Sequence, residues 1–434
     1  MHTRFLSAVI LVIASVWSTK SLSDGLVVRV SGNGTDDISC RESNATFPCR
    51  SLGFALEALK DSSNRNETMF TFLLDAGNVY SLNESVKINQ TSTSVIVYLK
   101  SSSNSTGGRS VIRCMDAKAG IEIGSNTSYT RNINFVDLEF QNCSSRSVAA
   151  VVLIWNSRDI NFTNCVFRNN AKAGINAFDS SVTIERCHFL NNTSNGYNSG
   201  ETYIEGVTSA GGGAGFLYQK AWNLSLIVKD SIFEFNSAVT NDTREFVAPT
   251  YHVSLIILSG GGFLVVFRKN AQFCRAWIEN TRFANNSATI GGGLYVEQSD
   301  LAMGNHFIMV SSNLSGNTAG QAAGGLSLSQ WNNASSFTTV FKNCIVSENE
   351  AQRGAGMNVF FMNSDATYKD SVLRSVRGPP VCIEILVTKR MTLLGFLIKT
   401  VFHFFFFNFN EYSTDNFSMV NSPLAGRIAN TFCA

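Results

Sequence analysis

Residues 283–296 read FANNSATIGGGLYV, and the fold turns on this stretch. A Phe-x-x-Asn unit is followed by a glycine cluster, and the cluster by a short run of alternating apolar residues. The first unit recurs as NFTNCVFRNNA with Phe167 and Asn170, TIERCHFLNNT with Phe189 and Asn192, and VKDSIFEFNSA with Phe233 and Asn236. It recurs again as VSSNLSGNTA with Leu314 and Asn317, and as FKNCIVSENEA with Val346 and Asn349. An earlier copy, NFVDLEFQNC, puts Phe140 and Cys143 at the same two places. The glycine unit returns as GGGAGFLY from Gly211, GGGFLVV from Gly260, GGLSL from Gly324 and GAGMNV from Gly354. From Phe140 onward the key apolar residues are spaced 27, 22, 44, 50, 31 and 32 apart, and the two long gaps fit either a hidden coil or a coil enlarged by a loop.

A supersecondary unit repeated at this length cannot bury its apolar face alone and must stack on its neighbours. Glycine supplies the positive backbone angles of a tight corner, and period-two alternation marks a strand. The expected fold is therefore all-β, a right-handed single-stranded parallel β-helix of two or three short strands per coil. Equivalent positions would sit about 4.8 Å apart along the axis, so roughly ten coils make a rod about 50 Å long. Phe would stack on Phe inside. Asn would stack on Asn as a hydrogen-bonded ladder at a turn, where its amide tolerates left-handed geometry. Cys165 and Cys187 share one position in adjacent copies and Cys344 shares it later, which reads as stacked buried thiols, with a Cys165–Cys187 disulfide as the other option. A short capping helix is expected in SLGFALEALKDSS from Ser51, with Phe54, Leu56 and Leu59 inward. LVVRV, FTFLL and VIVYLK, near Val28, Phe72 and Val97, would open the solenoid.

Composition agrees. The 434 residues are 44% apolar and only 15% charged, with net charge +2, enough for a large core and too balanced for a nucleic-acid-binding surface. Residues 1–23 have a cationic start, an apolar run from Phe5 to Trp17 and a small-residue finish, the order of a signal peptide, a signal anchor being the alternative. Asn-x-Ser/Thr triplets number 17, about twice the chance value, partly as a by-product of the Asn-rich repeat. Ten Cys are too few for a disulfide scaffold. In an oxidising compartment Cys40 with Cys49 is the first choice for a bridge and Cys114 with Cys143 the second, although spacing alone leaves the connectivity open.

The paired signatures, as in FANNSATIGGGLYV, resemble the repeats of polymorphic outer-membrane proteins and of right-handed β-helix domains in the pectin-lyase-like superfamily, over residues 130–376. The segment from Val30 to Leu59 is similar to the opening segment of secreted or cell-surface β-helix proteins. The resemblance implies a fold more than an activity. It departs from the bacterial outer-membrane branch, because no block of alternating ten-residue strands follows to build a barrel.

Enzymes of that superfamily carry an Asn-Thr-Asp segment, an Asp pair and a Gly-His-Gly turn, or several carboxylates around Ca²⁺ with an Arg or Lys base; the repeats contain no such set. Asp36 and Asp37 form the one adjacent Asp pair and lie before the repeats. Asp159, Asp179, Glu185, Asp230, Glu234, Glu279 and Glu348 are scattered singly and read as solvated charges, with Glu185, Lys229 and Glu279 at one offset. His188 is expected to point outward, and no His pair has metal-ligand spacing. GGGAG at Gly211 lacks the Lys-Ser/Thr of a phosphate loop and reads as a corner. No catalytic, cofactor-binding or metal-ligating residue is assigned, and no cofactor is implied.

The remaining lead is aromatic. Tyr197, Tyr203, Trp222, Tyr251, Trp277 and Trp331 are candidates to stack on sugars or a protein partner, or to cover the core, and the insertions 193–210 and 239–251 are the longest loops. Residues 24–129 are assigned to the cap and first coils, 130–376 to the repeats and 377–434 to an apolar tail containing FHFFFFNFN. Within the tail, 391–407 is short for a membrane span and is interrupted by Lys399 and His403, so the tail reads as a gene-model artefact or a weak membrane segment. Two functions follow: a noncatalytic secreted or cell-surface module for adhesion, recognition or surface structure, with glycans or extracellular proteins as partners, or a polysaccharide-active lyase or hydrolase.

Overall fold

The computed structural model describes residues 25–42, 47–59, 68–89, 95–102, 108–115, 120–143 apart from 126 and 128, 150–194, 211–238, 259–331 and 334–362, with the backbone of strands 372–377, 383–387, 418–421 and 428–433. Residues 1–23, the apolar run 391–407 and most of the two insertions lie outside this set.

The chain winds into a right-handed parallel β-helix with a 19-stranded, a 12-stranded and a 5-stranded sheet, which we call the first, second and third. One coil shows the plan. Ser225–Lys229 and Ile232–Glu234 are two segments of the first sheet, Ser237–Ala238 belongs to the third, and Phe263–Phe267 to the second. Each pairs in parallel with its counterpart one coil on: Arg275–Glu279, Arg282–Ala284, Ser287–Ile290 and Leu294–Gln298. Phe189 pairs directly with Phe233, and Phe233 with Phe283. The gaps of 44 and 50 residues are thus single coils enlarged by loops, not pairs of coils.

The direct register stacks the repeated Phe. Phe140, Phe167, Phe189, Phe233 and Phe283 are fully buried, with ring centroids 4.6, 4.7, 4.5 and 5.0 Å apart. Leu314 and Val346 continue the column. Beside it run Asn170, Asn192, Asn236, Asn286, Asn317 and Asn349. Each Nδ2 donates to the next Oδ1 at 2.7, 2.9, 3.0, 3.0 and 2.9 Å. Its second hydrogen goes to a backbone carbonyl of the preceding coil, as from Asn236 to Phe189 O at 2.9 Å, and Oδ1 also accepts a backbone N–H, as from Asn192 N at 3.1 Å. Every polar atom of a buried rung is satisfied, the condition on which such a network stabilises a core.

The ladder asparagines are not the left-handed residues of that turn. The residue before each rung takes the positive φ: Asn169 (54°), Asn191 (52°), Phe235 (55°) and Asn285 (53°). The rung itself keeps ordinary angles and spends its amide on stacking. The glycine corners match expectation at Gly260, Gly291 and Gly354, with φ of 72°, 65° and 51°, whereas in GGLSL the left-handed residue is Ala323 (59°). A Cβ on Gly261 would lie 2.3 Å from Gly292 O, so the sheet junction has no room for a side chain there.

Both expected disulfides form, Cys40–Cys49 and Cys114–Cys143. Cys165, Cys187 and Cys344 are buried free thiols in a column shared with Ser231, Thr281 and Ser312. Each Sγ or Oγ in it lies within hydrogen-bonding reach of the carbonyl two residues earlier, as for Cys187 with Glu185 O (3.4 Å) and Ser231 with Lys229 O (2.7 Å). The capping helix is Leu52–Leu56, with Ser51 accepting from Phe54 N. Leu52, Ala55 and Leu56 face the core; Phe54 is only half-buried, under the Arg41 guanidinium at 3.8 Å. Leu26–Val30, Met69–Leu74 and Ile96–Ser101 stack as the opening strands. At the far end Ile383–Val387 pairs in parallel with Met357–Met362, and Ile428–Cys433 closes against it antiparallel.

Candidate functional site

Parallel register turns each strand offset into a line of side chains along the rod. On the outer face of the first sheet, Ile227, Trp277, Ile308 and Val340 form one half-buried line. Two residues later come Glu185, Lys229, Glu279, Val310 and Lys342, and two residues earlier Ser225, Arg275, His306 and Thr338. The apolar line therefore has a row of mixed charge on one side and a mainly polar row on the other. Lys229 Nζ is 3.3 Å from Glu279 Oε2, the same oxygen that accepts from Trp277 Nε1 at 3.2 Å. That contact fixes the indole against its own strand.

The corner leading into this face adds exposed apolar side chains from three successive coils. Trp222, Phe273, Leu301 and Met303 are 62%, 49%, 60% and 38% exposed. Bridges from Trp222 to Gln272 and from Gln272 to Met303 hold the coils in line. Phe273 lies over Gly304, where a Cβ would meet its ring at 2.8 Å. Soluble surfaces rarely gather apolar groups in this way without a partner.

Beyond the bend, His188, Glu234 and Arg282 stand together: Glu234 is 3.7 Å from His188 Nε2 and 2.9 Å from Arg282. Burial draws the His188 pKa down and the Glu234 carboxylate opposes that shift. His188 does point outward, on the strand face opposite Phe189. Arg168 pairs with Glu139 at 2.6 Å in the same manner. The offset shared by Glu185, Lys229 and Glu279 is a true register line. Asp36 accepts from Arg50 N and Ser51 N, and Asp37 caps a 3-10 turn at Ile38–Arg41, so the Asp pair folds the N-terminal loop. Asp179 accepts from Gln219 N and Lys220 N at a corner, where burial raises its pKa.

One group lay beyond the sequence reading. On the outer face of the second sheet Glu297 is buried and accepts from Tyr295 OH at 2.7 Å and Ser299 Oγ at 2.8 Å, with Arg268 Nε at 3.3 Å. Burial, and then the charge of Glu297, raises the Tyr295 pKa well above its usual value. The coils before it put Phe178, Leu217 and Val266 at the Glu297 position. A Glu inside the apolar run GGGLYVEQ was the available signal. The set is one carboxylate neutralised by one guanidinium and two hydroxyls. Among the described residues no group of three or more His, Cys, Asp or Glu side chains could hold a metal ion. Of the candidate aromatics, Trp222 and Trp277 are placed as above; Tyr197, Tyr203, Tyr251 and the side chain of Trp331 lie outside the described set.

No family model and no curated protein sequence matches the chain. Among solved structures it is similar to a GH136 lacto-N-biosidase from Eubacterium ramulus, at 12% identity and TM-score 0.35 over 86% of this chain and 72% of that one. It is similar also to a glycoside hydrolase, at 8% identity and TM-score 0.35 over 80% and 98% of the two chains. A third is ORF18 of Geobacillus virus E2, at 9% identity and TM-score 0.27 over 88% and 70%. The fold assignment stands on the strand register. Two disulfides fit an oxidising compartment, and among the described residues no helix is long and apolar enough to cross a membrane.

Proposed function

We propose that this protein is a noncatalytic, glycosylated β-helix module, secreted or held at the outer cell surface, that recognises glycans or extracellular proteins. The observation that carries the reading is the framed apolar face: Ile227, Trp277, Ile308 and Val340 with the exposed corner of Trp222, Phe273, Leu301 and Met303. A rigid sheet presenting aromatic and aliphatic surface between a charged row and a polar row suits a sugar chain lying along the rod, since apolar sugar faces stack on rings while hydroxyls meet the polar flanks. The domain plan goes with this proposal: a leader in 1–23, a cap and first coils in 24–129, repeats in 130–376 of the pectin-lyase-like or polymorphic outer-membrane kind, and a tail in 377–434 whose strands Ile383–Val387 and Ile428–Cys433 extend the second sheet.

The second reading, a polysaccharide-active enzyme, is favoured by buried Glu297 on an outer face; fold alone does not choose between the two. A glycan array combined with an assay on polyuronides tests both. Binding without turnover, weakened at least tenfold by Trp277→Ala and unchanged by Glu297→Gln, is expected. Turnover that Glu297→Gln abolishes would establish the enzyme instead.

A further inference from the structure

We infer that N-glycans line one corner of the rod on Asn142, Asn191 and Asn285, at every second coil, and that the neighbouring acceptor Asn192 is left bare. The inference rests on the secretory reading, and it concerns which of the many acceptor triplets the fold can use. All three asparagines are exposed and take left-handed angles of 55°, 52° and 53° at the bend that ends the second segment of the first sheet. Their backbone N–H groups donate to the equivalent carbonyl one coil on: Asn142 to Arg168 O, Asn191 to Glu234 O and Asn285 to Ser315 O. The intervening coils fill this position with Asn169 and Phe235, which follow the same hydrogen-bonding rule. Asn169 is followed by Asn170-Ala171 and makes no triplet, and Phe235 offers no amide. The acceptors therefore stand two coil rises, roughly 10 Å, apart. Glycans on adjacent coils, at half that distance, would crowd each other.

Asn192 also begins a triplet, Asn192-Thr193-Ser194. Its side chain is fully buried, donating to Asn236 Oδ1 at 2.9 Å and to Phe167 O at 3.0 Å. Both amide hydrogens are committed and the core has no space for a sugar, so a chain glycosylated there cannot close its ladder.

The test is to express the full chain in a eukaryotic secretory host, once as it stands and once behind a host secretion leader. Secreted protein is released from its glycans by peptide-N-glycosidase in ¹⁸O water, and the marked residues are read by peptide fragmentation. Marks at Asn142, Asn191 and Asn285 with none at Asn192 are expected. Thr193→Ala removes the Asn191 triplet and keeps Asn192-Ala-Ser194, so it should lose one glycan with no transfer. Ala171→Thr, which puts Thr where Thr193 stands one coil on, should place a new glycan on Asn169 at reduced occupancy of its neighbours. A mark at Asn192 in folded protein, or marks at exposed Asn33 and Asn83 without any at the corner, would overturn the inference. Corner marks only with the host leader would uphold the inference and sink the secretory reading.

Discussion

Replacing Asn236 by Ala removes an interior rung of the ladder, and its cost can be worked from the bonds it breaks. Asn236 Oδ1 accepts from Asn192 N at 3.1 Å and from Asn192 Nδ2 at 2.9 Å; its Nδ2 donates to Phe189 O at 2.9 Å and Asn286 Oδ1 at 3.0 Å. Alanine orphans both donors of Asn192 and the second acceptor site of Phe189 O, while Asn286 Oδ1 keeps its bond from backbone N of residue 236 at 2.9 Å. Each buried group left without a partner costs about 1–3 kcal/mol, so the three together should cost the variant roughly 3–9 kcal/mol. Water cannot relieve the loss, because Asn192, Asn236 and Asn286 are 0%, 0% and 1% exposed. Urea unfolding followed by circular dichroism reads the difference directly. Asn349→Ala, at a rung only half-buried, should cost less, about 1–3 kcal/mol, since solvent can replace part of what is lost. Asn169→Gly keeps the left-handed turn and removes one exposed bond, so it should cost under about 1 kcal/mol. An Asn236→Ala protein within about 1 kcal/mol of wild type, or an order of costs unrelated to burial, would refute the view that the ladder holds the coils in register.

Phe233→Ala empties a site packed by Phe189, Phe263 and Phe283 and should cost about 3–5 kcal/mol in urea unfolding, whereas Phe233→Leu, which copies Leu314 in the same column, should cost about half as much. Burial pushes the Cys274 thiol up to about 11 from 9.0, so the folded state keeps a proton that the unfolded chain releases. Its contribution is full below pH 9 and is lost as pH rises to 11; urea unfolding at pH 8 and 10.5 should show wild type losing roughly 2 kcal/mol more than Cys274→Ser. Lys172 runs the other way: burial draws it down to about 8 from 10.5, the unfolded chain binds more protons between those values, and stability rises with pH across that window. Lys172→Met should flatten that rise and raise stability at pH 7 by up to about 3 kcal/mol, and a stability curve unchanged by the substitution would contradict it.

The sequence by itself determined the solenoid, because in parallel register a residue type repeated at one offset must land on itself. Phe over Phe, Asn over Asn, the thiol column and the Glu185–Lys229–Glu279 line could all be read from matching offsets. The bridges Cys40–Cys49 and Cys114–Cys143 were named first and second among open pairings, and the structure chose both. Three things needed the tertiary structure. The 44- and 50-residue gaps became single coils only when Phe189 met Phe233 and Phe233 met Phe283, since a loop can lengthen a coil without changing what stacks. The left-handed angle fell on Asn191 instead of Asn192, because a rung committed to neighbours above and below cannot also make the turn. Arg268 reaches Glu297 from the preceding coil, and Trp222, Phe273, Leu301 and Met303 gather at one corner, only because different coils turn side chains toward one another. A repeat fixes which residues share a line; how neighbouring lines and corners face each other depends on the bend of every coil, and that is set by packing across the whole rod.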